Sequence, residues 1–269
     1  TDCGTEQSEW SSIITFVTGC DAITNLPYSE TFDSYGTTSG SFVPCWSRPV
    51  LNTTTPWPSL VTTNHTPPAS IKFQSASATT PTYVITPPFA DDINLLRVKF
   101  FLKREGASSG TMEVGVMSDP NDLTSFELVA TVDPSLNDWI EYEFLFSGTD
   151  ITGPNNYIAF RHITNASNWY YWLDDVIVDY IPSCPKPTAL TATNITATDA
   201  DLGWTDDAGS MWTIQYMLAS ETDWANATEI AGVASNPYPI IGLLSPASNY
   251  KFRVQSLCGA EESEWSNVA

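Results

Sequence analysis

A chain of 269 residues is long enough for two domains of ordinary size, each able to bury a core without crosslinks or metals. Ten Lys plus Arg stand against 31 Asp plus Glu, a formal net charge of −21, which repels phosphate backbones and anionic headgroups. This excludes nucleic-acid binding and basic-patch membrane binding, and no apolar run reaches the roughly 18 residues that membrane insertion needs. Abundant Thr, Ser, Asn and Pro with 12% aromatics match an extracellular all-β module and not a disordered chain.

The chain opens on Thr1-Asp2-Cys3-Gly4, without the basic and apolar lead of a signal peptide. Cys3-Gly4-Thr5-Glu6-Gln7-Ser8-Glu9-Trp10-Ser11 then returns as Cys258-Gly259-Ala260-Glu261-Glu262-Ser263-Glu264-Trp265-Ser266, with seven of nine positions identical at an offset of 255. The repeat implies that one piece of a domain occurs at both ends, and that the chain holds one period of a tandem array. Residues 1–19 are then expected to be the last strand of a preceding domain.

Between the copies, short apolar runs at Leu95 to Leu102, Thr111 to Met117, Phe126 to Val132 and Ile140 to Phe146 are punctuated by Gly, Pro, Asn and Asp. That punctuation predicts strands, and no convincing helix of ten residues is present. Along the first run, Arg97, Lys99 and Lys103 share one face opposite Val98, Phe100 and Leu102, which reads as the solvated side of a buried strand. Trp57 lies in the stiff loop Thr54-Thr55-Pro56-Trp57-Pro58, which can hold its ring exposed for stacking on a sugar or against the protein's own core. The run Trp169-Tyr170-Tyr171-Trp172 alternates faces, so two rings leave the face shared by the other two. The Pro-rich Pro182-Ser183-Cys184-Pro185-Lys186-Pro187 cannot continue a central strand and predicts a domain boundary, giving domains at 20–182 and 183–269.

The two adjacent aspartates of Trp172-Leu173-Asp174-Asp175-Val176-Ile177-Val178 stand in an apolar strand. A regular strand presents one carboxylate on each face, so at least one meets a desolvated environment unless a cation or several donors compensate. Clustered carboxylates are what Ca2+ accepts. The alternative is an aspartate capping a loop through backbone amides.

Residues 20–182 resemble the jelly-roll adhesin modules of gingipain-type haemagglutinins (the cleaved-adhesin family) and, more distantly, MAM domains. The resemblance rests on that Asp-Asp strand and on Cys20 followed by Pro27-Tyr28-Ser29-Glu30-Thr31-Phe32-Asp33 and Pro44-Cys45-Trp46. It implies a Cys20–Cys45 disulfide and adjacent terminal strands that bring Glu30 and Asp33 close to Asp174 and Asp175 around structural Ca2+. Residues 184–269 resemble a fibronectin type III domain. The likeness is carried by Ala200-Asp201-Leu202-Gly203-Trp204, Trp212-Thr213-Ile214-Gln215-Tyr216 and the tyrosine corner Leu244-Ser245-Pro246-Ala247-Ser248-Asn249-Tyr250. It implies a Cys184–Cys258 disulfide, a buried Trp204, and Trp265 stacked on Arg253. The fold class is then all-β: a jelly-roll sandwich followed by a fibronectin type III sandwich. Its last strand is expected to be mostly missing, with residues 10–18 supplying it by strand exchange between fragments.

Chemistry is sparse. His65 and His162 are the only histidines, and neither stands in a nucleophile or zinc motif, so no catalytic residues are assigned and the chain is not expected to be an enzyme. Two readings follow from the resemblance. One is a secreted or cell-surface adhesion module recognising glycan or matrix protein, with Trp57 as ligand contact. The other is a passive spacer displaying a secreted enzyme.

Overall fold

A computed structural model describes residue 12 and residues 19–37, 42–49, 58–75, 81–105, 110–134, 137–147, 151, 153–163, 169–206 and 209–269. It divides into two compact units, Thr1–Tyr180 and Ile181–Ala269.

The first unit contains β1 (Tyr28–Glu30), β2 (Ser59–Val61), β3 (Ser70–Ser75), β4 (Thr82–Ile85), β5 (Leu96–Glu105), β6 (Thr111–Met117), β7 (Glu127–Val132), β8 (Ile140–Leu145), β9 (Tyr157–Ile163) and β10 (Trp169–Tyr180). One sheet runs β2-β3-β10-β5-β8 with β1 also on β10, and the other runs β4-β9-β6-β7. Every strand pair in both is antiparallel. The alternation read from the sequence places Val98, Phe100 and Leu102 of β5 in the core with Val114, Val116 and Phe160 from the facing sheet. Cys20 and Cys45 are bonded.

Arg97 departs from the expected solvated stripe. It is only 5% exposed, because Asp179 takes its Nε and Nη2 (2.7 and 3.0 Å) while Glu143 takes Nη1 (2.7 Å). Arg104 pairs with Asp133. Two of the strand's four basic residues, Arg97 and Arg104, are thus paired with acids.

His162 sits in the core beside Phe73 and Tyr171, and neither ring nitrogen has a hydrogen-bond partner among the described residues. Burial pushes its pKa from 6.5 down to about 4. Below pH 6.5 the unfolded chain takes up a proton that the folded chain refuses. Its contribution is therefore complete above pH 6.5 and is lost as the pH falls toward 4, by roughly 3 kcal/mol. His162→Leu should remove this acid sensitivity when unfolding free energies of the two proteins are compared from pH 7 to 4. A difference that stays constant across that range would refute it.

The second unit contains β11 (Thr188–Thr193), β12 (Ala200–Thr205), β13 (Met211–Leu218), β14 (Thr228–Val233), β15 (Tyr238–Ile240), β16 (Tyr250–Cys258) and β17 (Glu261–Glu262). Its sheets run β11-β12-β15 and β14-β13-β16-β17. Trp204 is buried edge-on against Trp212, and the Tyr250 hydroxyl accepts the Ser245 amide at 3.0 Å, closing the expected corner. Cys184 is bonded to Cys258.

Beyond β17 the chain forms no regular strand, yet it keeps bonding to β16. Residues 263–269 follow β16 down to Phe252, whose N–H and C=O both bond Ala269. Contact recurs every third residue. Ser263 and Ser266 donate their N–H to Ser256 and Val254 carbonyls, and their hydroxyls accept the Ser256 and Val254 amides. A period of three is polyproline-like, with serine hydroxyls replacing backbone carbonyls as acceptors. The strand exchange expected of residues 10–18 lies outside the described residues.

Arg253 stacks on Trp265 as expected, at 4.5 Å to the ring centroid. Trp224 covers its other side at 4.2 Å, a partner the sequence reading did not find.

Candidate functional site

The site is built on a bulge. Along β10, Asp174 pairs with Phe101 and Ile177 with Lys99, so three steps on β10 match two on β5. Asp175 is the residue with positive φ, at 49°. The extra residue resets the alternation: Tyr171 and Leu173 face the core before it, Val176 and Val178 after it. The two carboxylates therefore do not straddle the sheet. Both turn to its outer side, where each meets His65 and Thr66.

Asp174 is fully buried. Its Oδ2 accepts the His65 and Thr66 amides (2.7 and 3.2 Å), and its Oδ1 accepts the Asp175 amide (2.9 Å). Burial nevertheless dominates and raises its pKa from 3.8 to about 7, with the Asp175 charge adding to the rise. Asp175 holds His65 Nδ1 at 2.6 Å and the Thr66 hydroxyl. On β1, Glu30 pairs in register with Val176 and accepts the Phe32 amide (2.8 Å) and the Tyr35 hydroxyl (3.1 Å). Its pKa is also raised, chiefly by burial. Asp33 receives the Ala69 amide at 3.4 Å.

Three of the four expected calcium ligands thus border one loop, Asp174 and Asp175 at residues 65 and 66 and Asp33 at residue 69, while Glu30 is held by Phe32 and Tyr35. The four are held as two pairs, each answered by protein donors. Among the described residues no group of three or more His, Cys, Asp or Glu is placed to hold a metal ion. Asp174 and Asp175, which share one side of the bulge, supply hard oxygens suited to Ca2+, whereas Glu30 and Asp33 do not join them.

Beyond the aspartates the outer face is aromatic. His65 stacks on Phe101 (centroids 3.6 Å apart) with Trp139 edge-on at 5.8 Å. Further along β10, Tyr170 and Trp172 lie 6.0 Å apart. Tyr171 faces the core and donates its hydroxyl to the Gly110 carbonyl, so Tyr171 parts from Tyr170 and Trp172 as the alternation requires. Lys72 Nζ lies 3.7 Å from the Tyr170 ring centroid, and Lys103 Nζ lies 6.0 Å from that of Trp172. The sequence reading missed Tyr170, Trp172 and Lys72 as members of one surface, because their meeting depends on strand register. Trp57 lies outside the described residues. Pro58 follows it and leads into β2, whose Ser59 pairs with Lys72 at this sheet's edge.

Comparison with known proteins covers both units. Residues 185–269 match the family model of the fibronectin type III domain. Receptor-type tyrosine-protein phosphatase F of Danio rerio is 40% identical over 81 residues, a stretch covering 29% of this chain and 4% of that protein. Among solved structures, the K2 cleaved adhesin domain of Lys-gingipain is similar at 18% identity and TM-score 0.46, covering 58% of this chain and 99% of that one. The K3 domain from Porphyromonas gingivalis W83 is similar at 17% identity and TM-score 0.42, covering 56% and 97%. The chain is all-β, and residues 185–269 are a fibronectin type III domain.

Proposed function

We propose that this chain is a non-catalytic, extracellular binding module of a larger secreted or surface protein, and that its first unit recognises glycan. The observation that carries the reading is the aromatic outer face of the six-stranded sheet, where Tyr170, Trp172, Phe101 and Trp139 gather on the side turned away from the core. Trp172 is 5% exposed and Phe101 carries the His65 ring, so the partly exposed Tyr170 and Trp139 are the rings that offer an apolar face to the C–H face of a sugar, at little entropic cost on a rigid sheet. Trp57 is proposed as a further contact. Two disulfides and the fibronectin type III domain favour the extracellular placement. A glycan array probed with the whole chain tests the reading. Tyr170→Ala and Trp57→Ala should each weaken the positive spots by about tenfold, roughly one stacking contact. Uniform silence would favour the alternative, a passive spacer.

Calcium belongs to this reading as a stabiliser at Asp174 and Asp175. An ion bound only by the folded chain at a hundredfold excess over its Kd adds about 2.7 kcal/mol. EDTA is therefore expected to lower the melting temperature. An unchanged value would assign Asp174 wholly to the loop amides.

A further inference from the structure

The outer face carries a charge pattern as well as rings. Trp172 on β10 is flanked in register by Lys72 on β3 and by Lys103 on β5. The two lysines therefore stand two interstrand spacings apart, about 10 Å, with the indole between them. In a chain with ten cations and 31 acids, placing two ammonium groups beside rings is a costly choice. Three arginines are tied to acids, Arg97 to Asp179 and Glu143, Arg104 to Asp133 and Arg161 to Glu113, whereas Arg48, Lys251 and Arg253 also lie over rings. Neither Lys72 nor Lys103 forms an ion pair among the described residues. The acid that acts on Lys72 is Glu105, at the exposed end of β5, and burial outweighs it in lowering the lysine's pKa.

The indole supplies a second, independent observation. Trp172 is 5% exposed, and its Nε1–H is buried with no hydrogen-bond partner among the described residues. A buried N–H without an acceptor carries the full cost of its desolvation. Within reach of two ammonium groups, the group that satisfies it best is an anionic oxygen.

We propose that the Lys72–Trp172–Lys103 row, with Tyr170 beside it, binds an acidic polysaccharide bearing a carboxylate on every second sugar. The inference rests on the glycan-binding reading and specifies its ligand class. Each lysine meets one carboxylate, and the intervening neutral sugar lies along the row beside Tyr170, with the 5%-exposed indole as the floor beneath it. Tyr170 keeps one ring face for Lys72 and offers its other to a sugar. Lysine as a point charge suits carboxylates presented at varying angles along a flexible chain.

The test is calorimetric titration of the whole chain with unsulfated hyaluronan octasaccharide, its carboxyl-reduced counterpart, and chondroitin sulfate octasaccharide. Hyaluronan should bind, and the carboxyl-reduced chain should bind at least tenfold more weakly. Chondroitin sulfate should bind no more than a few-fold differently from hyaluronan. Lys72→Gln and Lys103→Gln should each cost five- to tenfold on hyaluronan and flatten its salt dependence, without loss of melting temperature. Equal binding of the carboxyl-reduced chain would overturn the acid preference while leaving glycan recognition in place. A strict need for sulfate would overturn the carboxylate assignment. Silence toward all three, with neutral glycans bound on an array, would also overturn it. Silence there too, with capture of an acidic peptide instead, would overturn both readings.

Discussion

Replacing Arg97 by alanine is expected to destabilise the first unit by about 3 kcal/mol, among the largest single-residue effects in the chain. The guanidinium is 5% exposed and spends three N–H groups on two acids, two on Asp179 and one on Glu143. Burial alone would lower its pKa, but the hydrogen bonds to Asp179 and Glu143 reverse this and hold it raised. Truncation leaves two carboxylates, of which only 14% and 22% of the side-chain surface is exposed, facing each other without their cation. The cost comes mainly from these stranded charges and less from the lost attraction. Asp179→Asn with Glu143→Gln in the Arg97→Ala background should therefore recover more than half of it. Arg97→Lys keeps the charge but not the planar fork, and should recover less. Urea midpoints of the four proteins check this, and a loss under about 1 kcal/mol for Arg97→Ala would contradict it.

Arg97 also shows where the sequence stops being informative. Periodicity placed it on the outer face of β5, and that is its position. Its burial depends on Asp179 arriving in register from 82 positions away, which no local pattern encodes. The aspartate pair fails for the same reason. Alternation assigned Asp174 and Asp175 to opposite faces, but the bulge shows only when β10 is counted against β5. The extra residue turns both to one side, and the loop at His65 and Thr66 becomes their partner. Cross-strand register likewise made Lys72, Trp172 and Lys103 neighbours. Features set by local chemistry were legible: the strand at Thr111 to Met117, the tyrosine corner, and the stacking of Trp265 on Arg253. The contacts of Ser263 and Ser266 were not legible, because their hydroxyls accept β16 amides with a period of three that no strand pattern announces.

Loss of the Cys184–Cys258 disulfide is expected to cost the fibronectin type III domain about 4 kcal/mol, from the loop it closes in the unfolded chain. The bond joins residues 74 positions apart, with Cα atoms 5.7 Å apart, so nearly the whole domain lies within the loop. Cys20–Cys45 closes only 25 positions in the first unit and constrains its unfolded chain less. The domain's own core is modest: among the described residues its buried cluster includes Leu202, Trp204, Trp212, Ile214, Tyr216, Ile240 and Phe252. A domain of this size keeps only a modest net stability, so losing the crosslink removes a large share of it. The tie also has a local role. It anchors the segment ahead of β11 to the end of β16, beside Ser256, whose N–H and C=O hold Ser263 at the start of the three-residue ladder. Cys184→Ala with Cys258→Ala should therefore lower the urea midpoint of the second unit and speed amide exchange first at Ser263 and Ser266. The first unit, whose crosslink is intact, should keep its midpoint. A second-unit loss below about 1 kcal/mol would mean that the unfolded chain is already compact enough for the crosslink to constrain little.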